Sequence, residues 1–369
     1  MSDQEFIFAA TRVDVRFTIQ PIDLLFNSMF LVTYENNASG LAEWVENTRE
    51  AMSPEQQRNN GVVMDILIHG IEPVDPTMTF PEYLEYLNAA DPCELRDRIL
   101  NGLRERCNKW NPEAGFETDD NRLLADKAVF IDMIERGIGV KYAEKRGEPL
   151  DLELYEWAFN LLNDPASLHT LVVGHLTEMW EDYLQPEWDT KLPMLEESVE
   201  AFSAQDYSGL NALEIARTVT GRELSNVLSE LENVSHLVLM PSLHLGPYIS
   251  YFFRDEVLHL IYGVRMPEGV QPKSPMLSRS ELLTRLNALA DDTRLAILEL
   301  LTHYEELFAQ DIMSRLNLSQ SSASRHLRQL TATGFLVEKR REVAKYYSLN
   351  RQRVEDTYQA LMHFLHAQR

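Results

Sequence analysis

The chain has 369 residues, of which 44% are hydrophobic and 9% are aromatic. A chain of this length is too long for one ordinary core and suits two domains, and its composition excludes disordered and fibrous proteins. Its two cysteines exclude a disulfide scaffold. Cys93 and Cys107 are predicted to share one helix, on which they lie too far apart to bridge.

The formal net charge of −24 is unevenly distributed along the chain. Residues 276–369 contain 13 basic and 11 acidic residues, a net charge of +2, which leaves −26 for residues 1–275. Within residues 315–345 the net charge is +5. A concentrated positive stretch in an acidic chain indicates a surface for a polyanion such as nucleic acid.

The N-terminal sequence has no basic run followed by an apolar segment. No apolar stretch approaches the length that a bilayer-spanning helix needs. We therefore expect a cytoplasmic protein with no membrane partner.

The first part of the chain is predicted to be mostly helical. Residues 13–19 alternate like a β-strand, and a helix is predicted to begin at Pro21. Apolar residues at three- and four-residue spacing then predict a series of helices, several of them behind Ser, Asp or Asn caps. Strand patterns return in "SHLVLMPS" and "YISYFFRDEVLHLIYGV", where Arg254-Asp255 is placed to turn a hairpin. Residues 1–265 are thus predicted to form an α+β domain with a small antiparallel sheet.

Three prolines within "MPEGVQPKSP" mark residues 266–275 as a linker. Residues 276–369 form the second predicted domain, which begins with four helices. The stretches that predict them are "SRSELLTRLNAL", "ADDTRLAILELL" with Leu295, Ile297, Leu298 and Leu301 turned inward, "FAQDIMSRL" and "SQSSASRHLRQLTATG".

The short turn between the third and fourth of these helices predicts a helix-turn-helix. Ser319 is predicted to cap the fourth helix and Gly334 to end it. Ala323, Leu327 and Leu330 fall on one face, which leaves short hydroxyl and long cationic side chains on the other face. Such a face suits a DNA major groove, because small residues allow close approach and Gln or Arg can contact base edges.

The stretch "GFLVEKRREVAKYYSL" predicts two short strands around Arg341-Glu342, with three cations at the tip. Such a wing is placed for phosphate or minor-groove contact. The predicted DNA-binding residues are Ser319, Gln320, Ser321, Ser322, Ser324, Arg325, Arg328, Lys339, Arg340, Arg341 and Lys345.

A last helix carries an apolar stripe that one protomer has little left to cover. Its spacing of i, i+4, i+7, i+8 and i+11 keeps the stripe on one helical face. A partner helix is therefore implied, as in a symmetric dimer. The stripe consists of Val354, Tyr358, Leu361, Met362 and Leu365.

The motifs "ALADDTRLAILELL", "LSQSSASRHLRQL" and "GFLVEKRREVAKYYSL", in this order, resemble the arsenic-repressor (ArsR/SmtB) family of bacterial winged-helix regulators. The resemblance covers about the last quarter of the chain. It implies a homodimer, joined through the first and last helices of this domain, that binds an inverted repeat in double-stranded DNA, usually as a repressor released by a signal. It adds Leu282 and Leu286 of the first helix to the predicted dimer interface. The long N-terminal part resembles extensions of such regulators with an unidentified effector.

The chain departs from the family pattern at its metal sites. Where arsenic-binding members have "ELCVCDL" this chain has "ELFAQDI", and Phe308 and Gln310 cannot supply thiolates. His363 and His366 match half of a zinc site that other members carry on the last helix, and Asn350 and Gln352 occupy the other half. We therefore predict no metal and no cofactor, and interpret the two histidines as a solvated helix end. Asp292 stands where the family usually has proline, and the wing turn has no glycine.

Other functions remain open from the sequence. The winged helix could serve protein contact alone, or the first domain could recruit another protein and use DNA as an anchor. An enzyme joined to a regulatory winged helix is the further alternative, but no catalytic motif is visible, so we predict no enzymatic activity and no catalytic residues. The loop "PSLHLGPY", with His244, Gly246 and Tyr248, is a candidate wall of a ligand pocket. The preferred hypothesis is a transcriptional regulator whose N-terminal domain senses a small molecule or a partner protein.

Overall fold

The chain folds into two compact units, as seen in a computed structural model. It describes residues 13–34, 41–73, 75–114, 116, 119–139, 149–221, 234–246, 248–267, 270, 279–341 and 344–366. The first unit comprises Met1–Ile19, Glu35–Val45 and Trp188–Arg369, and the second comprises Gln20–Tyr34 and Glu46–Glu187. The predicted domain boundaries at 265 and 276 differ from this division and stay a prediction, because most of the linker lies outside the described residues.

The second unit is helical, as the sequence pattern predicts. Its helices begin behind polar caps: Ser53 and Thr79 each complete a capping box, and the Asp91 side chain accepts from the amides of Cys93 and Glu94. Up to Met179 the helices of the described chain are α1 (Pro21–Tyr34), α2 (Glu43–Ala51), α3 (Pro54–Asp65), α4 (Phe80–Asn88), α5 (Pro92–Trp110), α6 (Asp120–Ala125), α7 (Lys127–Ile134), α8 (Leu152–Leu162) and α9 (Pro165–Met179), with 3-10 turns at Leu67–Gly70 and Pro112–Ala114 and π turns at Glu135–Gly139 and Trp180–Leu184.

A buried polar network joins three helices of this unit. His175 of α9 places Nε2 3.0 Å from Oδ1 of Asn60 in α3. The Asn60 amide in turn donates to the carbonyl of Met29 in α1 at 2.8 Å and to the hydroxyl of Thr33 at 2.6 Å. Burial lowers the pKa of His175 to about 4, so the imidazole is neutral at pH 7.

The first unit contains a four-stranded sheet built from both ends of the predicted first domain. Its strands are β1 (Asp14–Phe17), β2 (His236–Ser242), β3 (Ile249–Arg254) and β4 (Val257–Gly263), in the spatial order β1-β2-β4-β3. The prediction of an antiparallel sheet is correct only for the β3–β4 hairpin, since β1 pairs parallel to β2 and β2 parallel to β4. The long helical insertion between β1 and β2 allows the chain to re-enter the sheet in the same direction.

The hairpin turn lies one residue beyond the predicted dipeptide. Arg254 pairs with Val257, so the two turn residues are Asp255 and Glu256, with φ of 48° and 64°. Positive φ at both positions is typical of a type I′ turn, whose twist matches that of the strands. The prediction of Arg254-Asp255 is therefore wrong by one position.

Two further helices pack on this sheet. They are α10 (Gln185–Ser203), whose residues from Trp188 belong to this unit, and α11 (Ala212–Thr220). Phe202, Ile215 and Val219 pack with Leu239 and Leu260 of the strands in one buried cluster. The α+β character of this part thus rests on a small sheet with helices against it.

The C-terminal residues form a winged helix-turn-helix, as predicted. Its core includes Ile297, Ile312, Leu327, Leu330 and Phe335. The three strands of the wing sheet run in the order β5-β7-β6. In chain order the elements are α12 (Arg279–Leu289), α13 (Asp292–Leu300), β5 (Leu307–Phe308), α14 (Ala309–Leu316), α15 (Gln320–Ala332), β6 (Leu336–Arg341), β7 (Ala344–Leu349) and α16 (Arg351–His366).

Two details of this domain correct the prediction. Leu295 is exposed, whereas Ile297, Leu298 and Leu301 are buried. A helix that packs along one side buries only that stripe, and Leu295 lies outside it. Phe308 belongs to β5, which pairs with Tyr346 of β7, so the following helix begins one residue later than predicted.

Among the described residues, no helix combines the length and the apolar character needed to cross a bilayer.

Candidate nucleic-acid interface

A three-residue turn sets the angle between α14 and α15. Asn317 ends α14 in the left-handed region, with φ of 51°, a conformation that asparagine tolerates better than most residues. The Leu318 amide donates back to the carbonyl of Met313 at 2.9 Å. Ser319 then caps α15 by accepting a hydrogen bond from the Ser322 amide at 3.3 Å. The turn therefore satisfies its own backbone groups.

Helix α15 divides into a buried face and an exposed face. Ala323, Leu327 and Leu330 are buried against the domain core, as the spacing predicts. Six of the predicted DNA-binding side chains are exposed and Ser322 is half-buried. The exposed ones are Ser319, Gln320, Ser321, Ser324, Arg325 and Arg328.

The two arginines of this face are available to a ligand. Within the described part of the chain, neither Arg325 nor Arg328 forms an ion pair with a carboxylate. Arg315, which ends α14, differs from them: its guanidinium stacks on the Tyr304 ring at 4.4 Å and donates to the Tyr304 hydroxyl at 2.7 Å. Arg325 and Arg328 are thus exposed cations without a carboxylate partner among the described residues, on a helix whose other face packs against the domain core.

A buried histidine of α15 lies beside the cap of α13, a contact that was not predicted. His326 is 6% exposed, and its Nδ1 lies 3.5 Å from Oδ1 of Asp291. Asp291 caps α13 by accepting from the Arg294 amide at 3.0 Å, and this hydrogen bond lowers the pKa of its carboxyl. Helical spacing indicates that this side chain faces inward, since residue 326 lies three after Ala323 and four before Leu330.

The wing supplies further cations. Lys339 and Lys345 are exposed on paired strands. Lys345 has its Nζ 2.6 Å from Oε1 of Glu338, so part of its charge is neutralised locally. The backbone of Arg340 and Arg341 completes β6, while the side chains of both residues lie outside the described atoms.

Of the seven residues of the predicted dimer interface, three are exposed, three are half-buried and one is buried. Leu282 is 4% exposed and packs inside the protomer, whereas its neighbour Leu283 is 52% exposed. The exposed leucine of α12, which packs against α16, is therefore Leu283. Among the other predicted residues, Val354, Tyr358 and Leu365 are exposed, and Leu286, Leu361 and Met362 are half-buried.

Asn350 has a structural role in the winged helix. Its Oδ1 accepts from the Arg353 amide at 3.1 Å at the start of α16, and its Nδ2 donates to the Gly334 carbonyl at 2.8 Å. Gly334 ends the α15 region with φ of 77°. The side chains of His363 and His366 lie outside the described atoms. Within the described residues, no group of three or more His, Cys, Asp or Glu side chains is placed to hold a metal ion.

Two comparisons with known proteins match the helix-turn-helix region of this chain. A family profile described as a helix-turn-helix domain matches residues 289–339. The chain is also similar to the arsenic resistance transcriptional regulator ArsR2 of Pseudomonas putida strain KT2440, with 40% identity over 63 residues. The match covers 17% of this chain and 55% of that relative, so this chain spans about half the length of the curated relative it matches.

Proposed function

We infer that this chain, whose C-terminal region is a helix-turn-helix domain of the ArsR family, is a DNA-binding transcriptional regulator. The observation that carries the proposal is the exposed face of α15. Short polar side chains lie at its N-terminal end, where the backbone can approach DNA closely, and two uncommitted arginines follow. Arginine can form two hydrogen bonds with a guanine edge or bind phosphate.

The regulator acts as a homodimer on an inverted repeat. The exposed apolar side chains Leu283, Val354, Tyr358 and Leu365 lie on two helices that pack against each other. A symmetric dimer would cover them with the same surface of a second protomer. The two copies of α15 would then enter successive major grooves about 34 Å apart.

The strongly acidic remainder of the chain has a regulatory role. A net charge of −26 on residues 1–275 opposes contact of that part with a polyanion. We assign to it the sensing of an effector, a small molecule or a partner protein, that changes DNA affinity. By the family resemblance, the regulator represses transcription in the cytoplasm until the effector binds.

Replacement of Arg325 tests the proposal. Arg325→Ala should weaken binding to the specific site by about 1–3 kcal/mol, because a base-edge or phosphate contact is lost. The measurement is fluorescence anisotropy of the full chain on its own upstream DNA. Arg122→Ala, which removes an exposed arginine from α6, is the matched control and should leave the isotherm unchanged. Equal affinities of the wild type and Arg325→Ala would contradict this placement of α15.

A further inference from the structure

A cavity of about 450 Å³ lies in the first unit between the four-stranded sheet and the winged helix. One wall comes from Tyr248, Ile249 and Tyr262 of the sheet side, and the other comes from the wing strands and α16. The volume falls in the range of about 300–1,000 Å³ that is typical of small-molecule sites. The loop "PSLHLGPY" contributes Gly246 and Tyr248, while its His244 instead stacks on Trp44 with ring centroids 4.0 Å apart.

The cations that border the cavity are engaged by the protein itself. The Arg265 guanidinium lies so close to Gly221 that a side chain there would collide with it. Arg353, which flanks the first turn of α16, donates from Nη2 to the Leu41 carbonyl at 3.0 Å. Arg351, at the cavity wall, is exposed and reaches the Thr302 carbonyl at 3.5 Å. Arg265 and Arg351 therefore supply the positive charge of the cavity wall.

The part of the wall formed by α16 carries several hydrogen-bond acceptors. Gln359 donates from Nε2 to Oε1 of Glu355 at 2.6 Å. Its Oε1 is buried and has no hydrogen-bond partner among the described residues. Asp356 accepts from Gln352 at 2.6 Å, and burial raises the pKa of its carboxyl. A buried acceptor without a partner is unfavourable, so a bound donor would stabilise this wall.

We propose that this cavity is the effector site, and that it takes a small neutral organic molecule with an apolar body and an N–H or O–H donor. Ile249, Val337 and Leu349 supply the apolar contacts. A turn of the Gln359 side chain, which lines the cavity, would bring its carbonyl oxygen to the donor. Arg265 and Arg351 balance Glu355 and Asp356 in the cavity wall, so neither a ligand anion nor a ligand cation is favoured over a neutral ligand.

The position of the cavity links it to DNA binding through α16. Gln352 and Gln359 line the cavity from one face of this helix. Val354, Tyr358 and Leu365 are exposed about half a turn away, on the predicted dimer face. A ligand that shifts α16 therefore acts on the surface that sets the distance between the two reading helices.

A second connection runs through Asn350, which also lines the cavity. Its side chain caps α16 and donates to the Gly334 carbonyl after α15. The ligand, the dimer helix and the end of the reading helix thus share one hydrogen-bonded residue. This assignment rests on the proposed regulatory function.

Benzamide is the probe for this site, with benzoate and benzamidine as anionic and cationic molecules of nearly the same size. Saturation-transfer NMR with the full chain should detect benzamide at millimolar concentration. Binding of the two charged probes should be weaker by about fivefold or more. Benzoate as the strongest probe, or no detectable benzamide binding, would overturn the proposed ligand class.

Two variants locate the probe. Ile249→Trp fills the cavity and Gln359→Leu removes the acceptor at nearly constant volume, and each should weaken benzamide binding by about fivefold or more. Gln205→Leu, an exposed glutamine of the same unit, is the control and should bind benzamide like the wild type. Melting curves verify that each variant is folded. If Ile249→Trp fails to fold, Gln359→Leu alone decides. Unchanged benzamide binding in a folded variant places the site elsewhere.

The regulatory role is tested separately, by measuring the affinity of the protein for DNA. Saturating benzamide should change the affinity of the wild type for its upstream DNA by about twofold or more, and should not change that of Gln359→Leu. Benzamide binding without any change in DNA affinity would overturn the effector assignment. Failure of the wild type to bind its upstream DNA without benzamide would instead overturn the proposed function, whatever the probe does.

Discussion

Asn350 shows how one side chain connects three parts of the winged helix. It is 4% exposed, caps α16, and bonds the Gly334 carbonyl after α15. His326 of α15 is also buried and lies beside Asp291, the carboxylate that caps α13. These residues orient the reading helix without touching DNA, while Arg325 and Arg328 remain exposed.

In the helical unit, the buried His175 predicts a dependence of stability on pH. Its pKa in the folded protein is about 4, against the ordinary value of 6.5. The folded state therefore holds the neutral ring, while the unfolded chain takes up a proton below pH 6.5. The stability contribution is complete above pH 6.5 and is lost as the pH falls toward 4.

Urea unfolding at pH 7 and pH 5 measures this effect. We expect His175 to account for about 2 kcal/mol of the difference in the free energy of unfolding between the two pH values. His175→Gln should show a smaller pH dependence, and His303→Gln, which changes an exposed histidine, should behave like the wild type. An unchanged pH dependence in His175→Gln would show that the ring is not held neutral.

The residues of the reading face could be predicted because a helix repeats every 3.6 residues. With Ala323, Leu327 and Leu330 inward, Ser321, Arg325 and Arg328 must point outward. The role of Asn350 could not be predicted in this way. Its partner Gly334 belongs to another element, and no local pattern specifies such a contact.

At the scale of elements, the wing and the reading helix contribute different kinds of contact. Helix α15 has a polar face suited to base edges, whereas the paired strands β6 and β7 carry cations. Phosphate contacts give affinity that depends on salt and not on sequence. The two elements should therefore be separable by mutation.

Arg341→Ala tests this separation. It should weaken specific and nonspecific DNA together and reduce the slope of log affinity against log salt by about one, because one phosphate contact is lost. Lys345→Ala is the matched comparison within the wing. Its effect should be smaller, since Glu338 lies 2.6 Å from the Lys345 ammonium. Loss of only the specific complex in Arg341→Ala would mean that the wing reads bases.

Element boundaries were predictable where caps and glycines mark them. Ser319 caps α15 in the structure, and Gly334 follows this helix with a positive φ. The two-residue strand β5 was missed, because so short a strand has no period of its own. It exists through its pairing with Tyr346 and Tyr347 of β7.

At the scale of the whole chain, the sheet topology was the least predictable feature. Asp14 pairs in parallel with His236, and the whole sequence of the helical unit lies between these two residues along the chain. Such a pairing depends on a tertiary arrangement that hydrophobic periodicity does not encode. By contrast, the division between an acidic majority and a basic C-terminal cluster is visible in the charge distribution alone.

We propose that the protein binds DNA as a symmetric regulator, and footprinting of the full chain on its own upstream DNA tests this proposal. We expect two protected stretches with inverted sequences, centred about 10–10.5 base pairs apart on one face of the duplex, and loss of both stretches in Arg325→Ala. No protection at any salt concentration, or a single stretch without an inverted copy, would contradict it.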